Sequence, residues 1–334
     1  MSHYHLYAIG NALVDTEYEV SDALLQTMGV SKRHMTLIDT PQRAELLSHV
    51  QGLHARRTGG GSAGNTVVAL AQLGGQAFYS CRVADDELGA FYTQDLQTNG
   101  VATNLTHTLA QAGQTGSCMV LVTPDAERSM CTFLGATSQL DASALHPQDI
   151  AKSQIYYMEG YLAASPSGLE AAVQGRQIAT EHKVATALTL SDVSMINFCR
   201  AGLEAMVGDG LDYLFANEEE AQTWCGTTDL DVIIGQLSPL AKTVCLTRGP
   251  KGCIVLQGNQ RTEVPAVPTQ AVDTNGAGDM FAGSFLFGIT HGHTPAQAAA
   301  LANRAAAAVV SQHGNRLTQA QMQAIHAEFQ KASS

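Results

Sequence analysis

From residue 155 onward, short apolar runs alternate with longer amphipathic ones, and this rhythm constrains the fold more than any other feature of the chain. Strands are expected at 154–159, 184–190, 211–216 and 243–248, and helices at 166–182, 194–207, 217–225, 276–291 and 295–312. Strand followed by helix, repeated, implies a parallel sheet with helices on both faces. The N-terminal third adds strands at 5–10, 77–83 and 116–123 and helices at 62–73 and 87–98. Ile254–Leu256 and Arg261–Val264, with Gly258-Asn259 between them, read as a hairpin. A last helix, 318–331, is capped at Thr318. Two stretches break the rhythm. Residues 12–56 begin with alternating polar and apolar positions and then wander; residues 105–135 resemble a β-ribbon, with polar turns at Gln111–Gly116 and Pro124–Glu127. These two inserts are expected to leave the main sheet together as a small β lid. No repeat or linker divides the 334 residues, so the chain reads as a single domain, 1–334.

Composition matters mainly for what it excludes. A formal net charge of −12 argues against a basic nucleic-acid face. No apolar run approaches the ~18 residues that span a bilayer, and the first residues lack a signal peptide's basic and apolar regions, so no membrane partner and a cytoplasmic location are expected. The seven cysteines show no C-x-x-C pairing and mostly sit in apolar runs, as reduced core residues would. The twelve histidines form no metal-like pattern. An acidic protein that handles phosphate must build a local positive site from backbone N–H groups, a metal or a few arginines.

Asn275-Gly276-Ala277-Gly278-Asp279 supplies such a place, because a glycine-rich turn runs straight into the apolar helix that begins Met280-Phe281. The first N–H groups of a helix lack intrahelical acceptors, and the helix dipole favours negative charge there. Glycines let an anion approach closely, so the turn is a seat for charge on a transferred phosphoryl group. Asp279 falls in the first helical turn. It can be simply a dipole-stabilised acid, or a carboxylate that takes the proton of an attacking hydroxyl. Asp15, in Gly10-Asn11-Ala12-Leu13-Val14-Asp15, follows the first strand at the end where α/β sheets bind ligands, and a carboxylate there suits a ribose diol. Gly59-Gly60-Gly61-Ser62-Ala63-Gly64 contains G-x-G-x-x-G, but His54–Thr58 is no buried strand, which argues against a dinucleotide site.

Asp273-Thr274-Asn275-Gly276-Ala277-Gly278-Asp279 resembles the second signature of the PfkB/ribokinase family of carbohydrate and nucleoside kinases, and the likeness runs from Gly10 to about Gly314. It implies a ribokinase-like three-layer α/β/α domain with a mainly parallel central sheet and a small β-sheet lid. It implies ATP and Mg²⁺ as cofactors, with Asp279 as the base and Gly276, Ala277 and Gly278 forming an anion hole with the Asp279 amide. By the same resemblance Asp15, Asn11, Gly61 and Asn65 hold the acceptor. Asn217 and Glu220, in an N-x-x-E motif, arrange Mg²⁺ through its waters; a helix cap serves those two residues equally well. Thr247, Arg248 and Gly249 border the nucleotide in a T-x-G-x-x-G loop, and Asn303 matches a position near adenine. Arg128 is a lid arginine that reaches the transferred group, and such a group suits a permanently charged fork. K⁺ is a further cofactor expected from the family, held by backbone carbonyls near Asp273.

Several runs resemble adenosine kinases in particular: Asp273-Thr274-Asn275, Gln114–Cys118, Gly160-Tyr161-Leu162 and Leu188–Asp192. The expected reaction is transfer of the ATP γ-phosphate to the 5′-hydroxyl of a ribonucleoside such as adenosine. A kinase for ribose, fructose or a related sugar is the alternative. A catalytically silent nucleotide- or sugar-binding protein is a third, and the intact Asp279 turn argues against it. Either a monomer or a homodimer is compatible with the family.

Overall fold

The computed structural model describes residues 4–32, 35–106, 113–125, 127–258 and 260–333. Parts of three expected turns, at Gln111 and Ala112, Ala126 and Asn259, lie outside the described residues. The strands, in chain order, are β1 (Tyr4–Ile9), β2 (Leu13–Glu19), β3 (Met35–Leu37), β4 (Ala55–Gly60), β5 (Ala77–Ser80), β6 (Ala102–Thr103) and β7 (Ser117–Val122), then β8 (Arg128–Phe133), β9 (Ser153–Glu159), β10 (Ala185–Thr189), β11 (Leu211–Asn217), β12 (Ala241–Thr247), β13 (Cys253–Gln257) and β14 (Gln260–Val264).

Nine strands form the main sheet in the order β14-β13-β12-β11-β10-β9-β1-β5-β6. Pairing is parallel from β12 through β6, and only the β12–β13–β14 edge is antiparallel. The parallel strands are apolar and buried through their centres, as burial on both faces requires. One face packs on helices Ser62–Gln72, Ala277–Thr290 and Pro295–Val310 and on the C-terminal helix. The other packs on helices Pro166–Glu181, Val193–Val207 and Glu218–Cys225. This is the three-layer, ribokinase-like architecture. Helix Ala277–Thr290 is buried from Met280 to Gly288, and it lies close against helix Ser62–Gln72 because Gly283 has no side chain. A Cβ at Gly283 would meet the Thr66 carbonyl oxygen at 2.4 Å.

The two irregular stretches supply a second sheet, ordered β3-β8-β7-β2-β4. Its strands alternate strictly. Met119, Leu121 and Cys131 face a small core with Leu25, Met28 and Leu46 of two short helices, whereas Cys118, Val120, Met130 and Thr132 face a cavity. Residues 12–56 therefore hold structure that their loose pattern hid. Helix Thr40–His49 opens with a reciprocal cap between Asp39 and Gln42, and Pro41 sits in its first turn. β4 corrects the expected boundary, since pairing in the small sheet continues to Gly60, past residue 56. It also agrees with the reading of His54–Thr58 as no buried strand. Residues 55–60 are a strand, but an edge strand with exposed Arg56 and Arg57, antiparallel to β2. The glycine turn after it thus has no βαβ unit, and a dinucleotide fold is absent for that reason.

The cysteines are free, and Cys81, Cys118, Cys131, Cys245 and Cys253 are buried. Four histidines do associate, at the amino-terminal edge of the main sheet. His5 meets His291 with tilted rings at 4.6 Å, His291 stacks on Phe287 at 3.9 Å, and His326 meets Phe287 edge-on at 5.0 Å, with His293 close by on Phe329. No group able to hold a metal ion occurs among the described residues. No helix among them is long and apolar enough to cross a membrane.

Candidate active site

Strands β1, β9, β10, β11 and β12 end side by side, and the small sheet stands over those ends. Between them lies a cavity of about 610 Å³. Asn11, Asp15, Gly61, Asn65, Asn217, Glu220, Thr247, Gly276, Ala277, Gly278 and Asp279 all line it. A groove of about 650 Å³ opens at the opposite end of the strands, where Lys242 pairs with Asp212 at 2.8 Å.

Asp279 occupies the first turn of helix Ala277–Thr290, whose N-cap, Gly276, has φ +76°. That left-handed backbone suits glycine, and a Cβ there would also meet the Asn315 carbonyl oxygen at 2.4 Å. The Gly278 and Asp279 amides have no acceptor among the described residues, and the space beside Gly278 is open for 4 Å. Amides without acceptors beside open space are a geometry that can receive an anion. The Ser62 hydroxyl donates to Asp279 Oδ1 at 2.6 Å and the Asn65 amide nitrogen to Oδ2 at 2.9 Å. Burial pushes the Asp279 carboxyl up to about 6, against the pull of these donors and of Arg316.

Asp15 reaches the same cavity from β2. Gly60, nearby on β4, leaves room for its carboxylate, because a Cβ there would meet Asp15 Oδ1 at 2.6 Å. The Asn315 amide donates to Asp15 Oδ2 at 2.8 Å. Burial pushes Asp15 up to about 7, opposed by Arg316 and assisted by the charge of Asp279. Gly61, at φ +86°, brings the helix start against Asn11, and Asn11 Oδ1 accepts from Thr137 at 3.1 Å.

Glu159 was not singled out from the sequence. It is fully buried at the end of β9 and accepts the Asn11 and Ala63 amides, each at 2.7 Å. It thereby ties the loop after β1 to the start of helix Ser62–Gln72. Burial pushes it up to about 7. Its only sequence signal is an acid ending an apolar run before Gly160. Gly314, Asn315 and Arg316 were also not assigned a role. They form one loop whose amide or side chains reach Asp273, Asp15 and Asn65 in turn.

Asn217 and Glu220 form a reciprocal cap on helix Glu218–Cys225, and both line the cavity. Glu220 is pushed up to about 7, mainly by burial. Five expected residues, Arg128, Arg248, Gly249, Asp273 and Asn303, lie outside the cavity lining. Arg248 pairs with Glu218 at 3.0 Å beside exposed Gly249. Asn303 donates to the Val264 and Pro265 carbonyls. Arg128 pairs with Glu17 at 2.9 Å and with Asp273 at 2.8 Å. Asp273 also accepts the Asn275 and Gly314 amides, which leaves its side chain fully engaged. Free amides at a helix start, oxygen donors at Asn217 and Glu220, and Thr247 on the facing wall fit a magnesium-bound triphosphate.

A family profile described as pfkB family carbohydrate kinase matches residues 32–321. The adenosine kinase of Saccharomyces cerevisiae is 28% identical over 309 residues, covering 86% of this chain and 89% of the yeast protein. Among solved structures, a probable sugar kinase from Rhizobium etli superposes with a TM-score of 0.89 at 34% identity, covering 100% of this chain and 99% of that one. The adenosine kinase of Sinorhizobium meliloti superposes with a TM-score of 0.87 at 37% identity, covering 98% and 99%. Nucleoside and sugar kinases of this kind use ATP with Mg²⁺. The chain belongs to the pfkB family of carbohydrate kinases and is a phosphotransferase that acts on an alcohol group.

Proposed function

We propose that this kinase transfers the γ-phosphoryl group of ATP to the 5′-hydroxyl of a ribonucleoside such as adenosine, with Asp279 as the base. The observation that carries the substrate reading is the cavity's mixed lining. Carboxylates and amides at Asp15, Asn65 and Asp279 line it together with the apolar side chains of Leu13, Val120, Met130 and Leu134. A ribose needs the first set. A flat apolar base gives a use to the second, whereas a bare sugar does not. The names of the yeast and S. meliloti relatives support the same choice.

In this reading Asp15 accepts hydrogen bonds from the ribose diol, with Asn11, Gly61 and Asn65 completing the cradle. Asp279 takes the proton of the 5′-hydroxyl. The amides of Gly278 and Asp279, with Gly276 and Ala277 shaping the turn, stabilise charge that develops during transfer. When bound, ATP supplies the phosphoryl group and Mg²⁺ neutralises its charge. Asn217 and Glu220 would hold the metal through water, and Thr247, Arg248, Gly249 and Asn303 the nucleotide. The small sheet, built on 12–56 and 105–135, acts as a lid that excludes water. Arg128 reaches the transferred group only by leaving Glu17 and Asp273. K⁺ held by carbonyls near Asp273 would make turnover fall when Na⁺ replaces it.

Asp279→Asn keeps the shape and removes the base. Its kcat should fall by roughly 10³-fold or more while ATP affinity stays near that of the parent. Near-normal turnover of a folded variant would overturn the assignment.

A further inference from the structure

We propose that Arg316 is a positioning residue for phosphoryl transfer: it fixes the side-chain amide of Asn65 so that its nitrogen, not its oxygen, faces Asp279. This rests on the reading of Asp279 as the base. Arg316 Nε donates to Asn65 Oδ1 at 2.7 Å, and Asn65 Nδ2 donates to Asp279 Oδ2 at 2.9 Å. A guanidinium carries only donors. The Asn65 atom that faces it must therefore be the oxygen, and the NH₂ group is left to point at the carboxylate. A flipped Asn65 would turn its oxygen toward Asp279, and two acceptors are compatible there only if Asp279 carries a proton. Arg316 thus selects the Asn65 orientation that favours an ionised base.

Arg316 is itself held. Its Nη1 pairs with Asp95 Oδ2 at 2.5 Å, from helix Glu87–Thr98, and its side chain is only 9% exposed. Gly59 makes room for that pair, since a Cβ there would come within 2.2 Å of Asp95 Oδ2 and 2.8 Å of Arg316 Nη1. Arg316 does not line the cavity, so its influence on the reaction passes through Asn65 and through its charge. The groups that act electrostatically with Asp279 are the Arg316 cation, the carboxyls of Asp15, Glu159 and Glu220, and the phenols of Tyr157 and Tyr161. Arg316 is the cation of that set, and it opposes the upward push that burial exerts on both Asp279 and Asp15. Asp95 stands behind Arg316 and sets its place.

The test is the pH profile of kcat/KM for phosphorylation of adenosine, with ATP saturating. It compares the parent with Arg316→Met, Arg316→Lys and Asp95→Asn, and Asp279→Asn is assayed alongside. Arg316→Met should move the acid limb upward by about one pH unit and lower kcat at neutral pH by about tenfold or more. KM for ATP should stay within about twofold, because uniform binding is untouched. Arg316→Lys keeps the charge without the fork, so its limb should move less while its kcat still falls. Asp95→Asn should lower kcat in the same direction by releasing Arg316. If Arg316→Met does not fold, the lysine and asparagine variants carry the comparison. Folded Arg316 and Asp95 variants with the parent's acid limb and kcat would overturn the proposal while an inactive Asp279→Asn left the base assignment standing. An active Asp279→Asn would overturn both.

Discussion

In the proposed function the carboxyl of Asp279 is the base. Its neighbours explain how an aspartate can act as a base near neutral pH. Burial raises it to about 6, and Ser62 and Asn65 keep it from going higher. A base works only when deprotonated, so activity is present above that value and lost as pH falls through it. The acid limb of kcat/KM should therefore lie near pH 6, above the ordinary aspartate range near 3.9. Because Asp15, Glu159 and Glu220 are each raised to about 7, the limb reports a coupled set. A profile flat down to pH 4.5 would contradict the site's electrostatics. At this scale, legibility followed motif length. Asp279, Gly276 and Asn217, which line the cavity, were singled out because each sits in a run that matches a longer motif. Glu159 and Arg316 were not, since a single acid ending an apolar run, or one arginine in a polar loop, has many ordinary uses. Their partners, the Ala63 amide and the Asn65 side chain, are distant in the chain and meet only on folding.

Helices Ser62–Gln72 and Ala277–Thr290 pack through Gly283, and their amino-terminal turns bring Ser62 and Asn65 to Asp279. The far end of the second helix carries the histidine stack. Burial lowers the pKa values of His5 and His326, and the neighbouring histidines add to this. A histidine lowered in the folded state binds protons better when unfolded. Its contribution to stability is complete above the unfolded value near 6.5 and is lost as pH falls through it. Buried carboxyls with raised pKa values change stability in the opposite sense, so the histidine effect is read as a difference between proteins. His326→Gln should show a smaller drop in Tm than the parent between pH 7 and pH 5. Parallel Tm curves would show that the stack plays no such part. The helices and parallel strands were legible from periodicity. The histidine stack was not, because positions 5, 291, 293 and 326 share no local pattern.

Among the described residues the molecule is a nine-stranded sheet with a five-stranded sheet set over its carboxyl ends and a cavity between them. The existence of a second sheet was legible from the two stretches that broke the strand–helix rhythm. Its strand order was not, since β2 lies between β4 and β7 through pairings that join distant segments. Two apolar side chains on this sheet stay open to solvent beside the cavity, Met35 at 44% and Leu37 at 59% exposure. Exposed positions tolerate substitution, so Leu37→Ser should leave Tm almost unchanged. It should raise KM for adenosine by about fivefold, the equivalent of ~1 kcal/mol of lost apolar contact, and leave KM for ATP near that of the parent. An unchanged adenosine KM would remove Leu37 from the base-binding wall. The measurement that bears most directly on the proposed function is kcat/KM for ADP release with adenosine, ribose and fructose as competing acceptors, at saturating MgATP. Adenosine should exceed both sugars by about 10²-fold or more, the discrimination expected when a built apolar wall is left unfilled. Turnover of ribose or fructose with none for any nucleoside would contradict it.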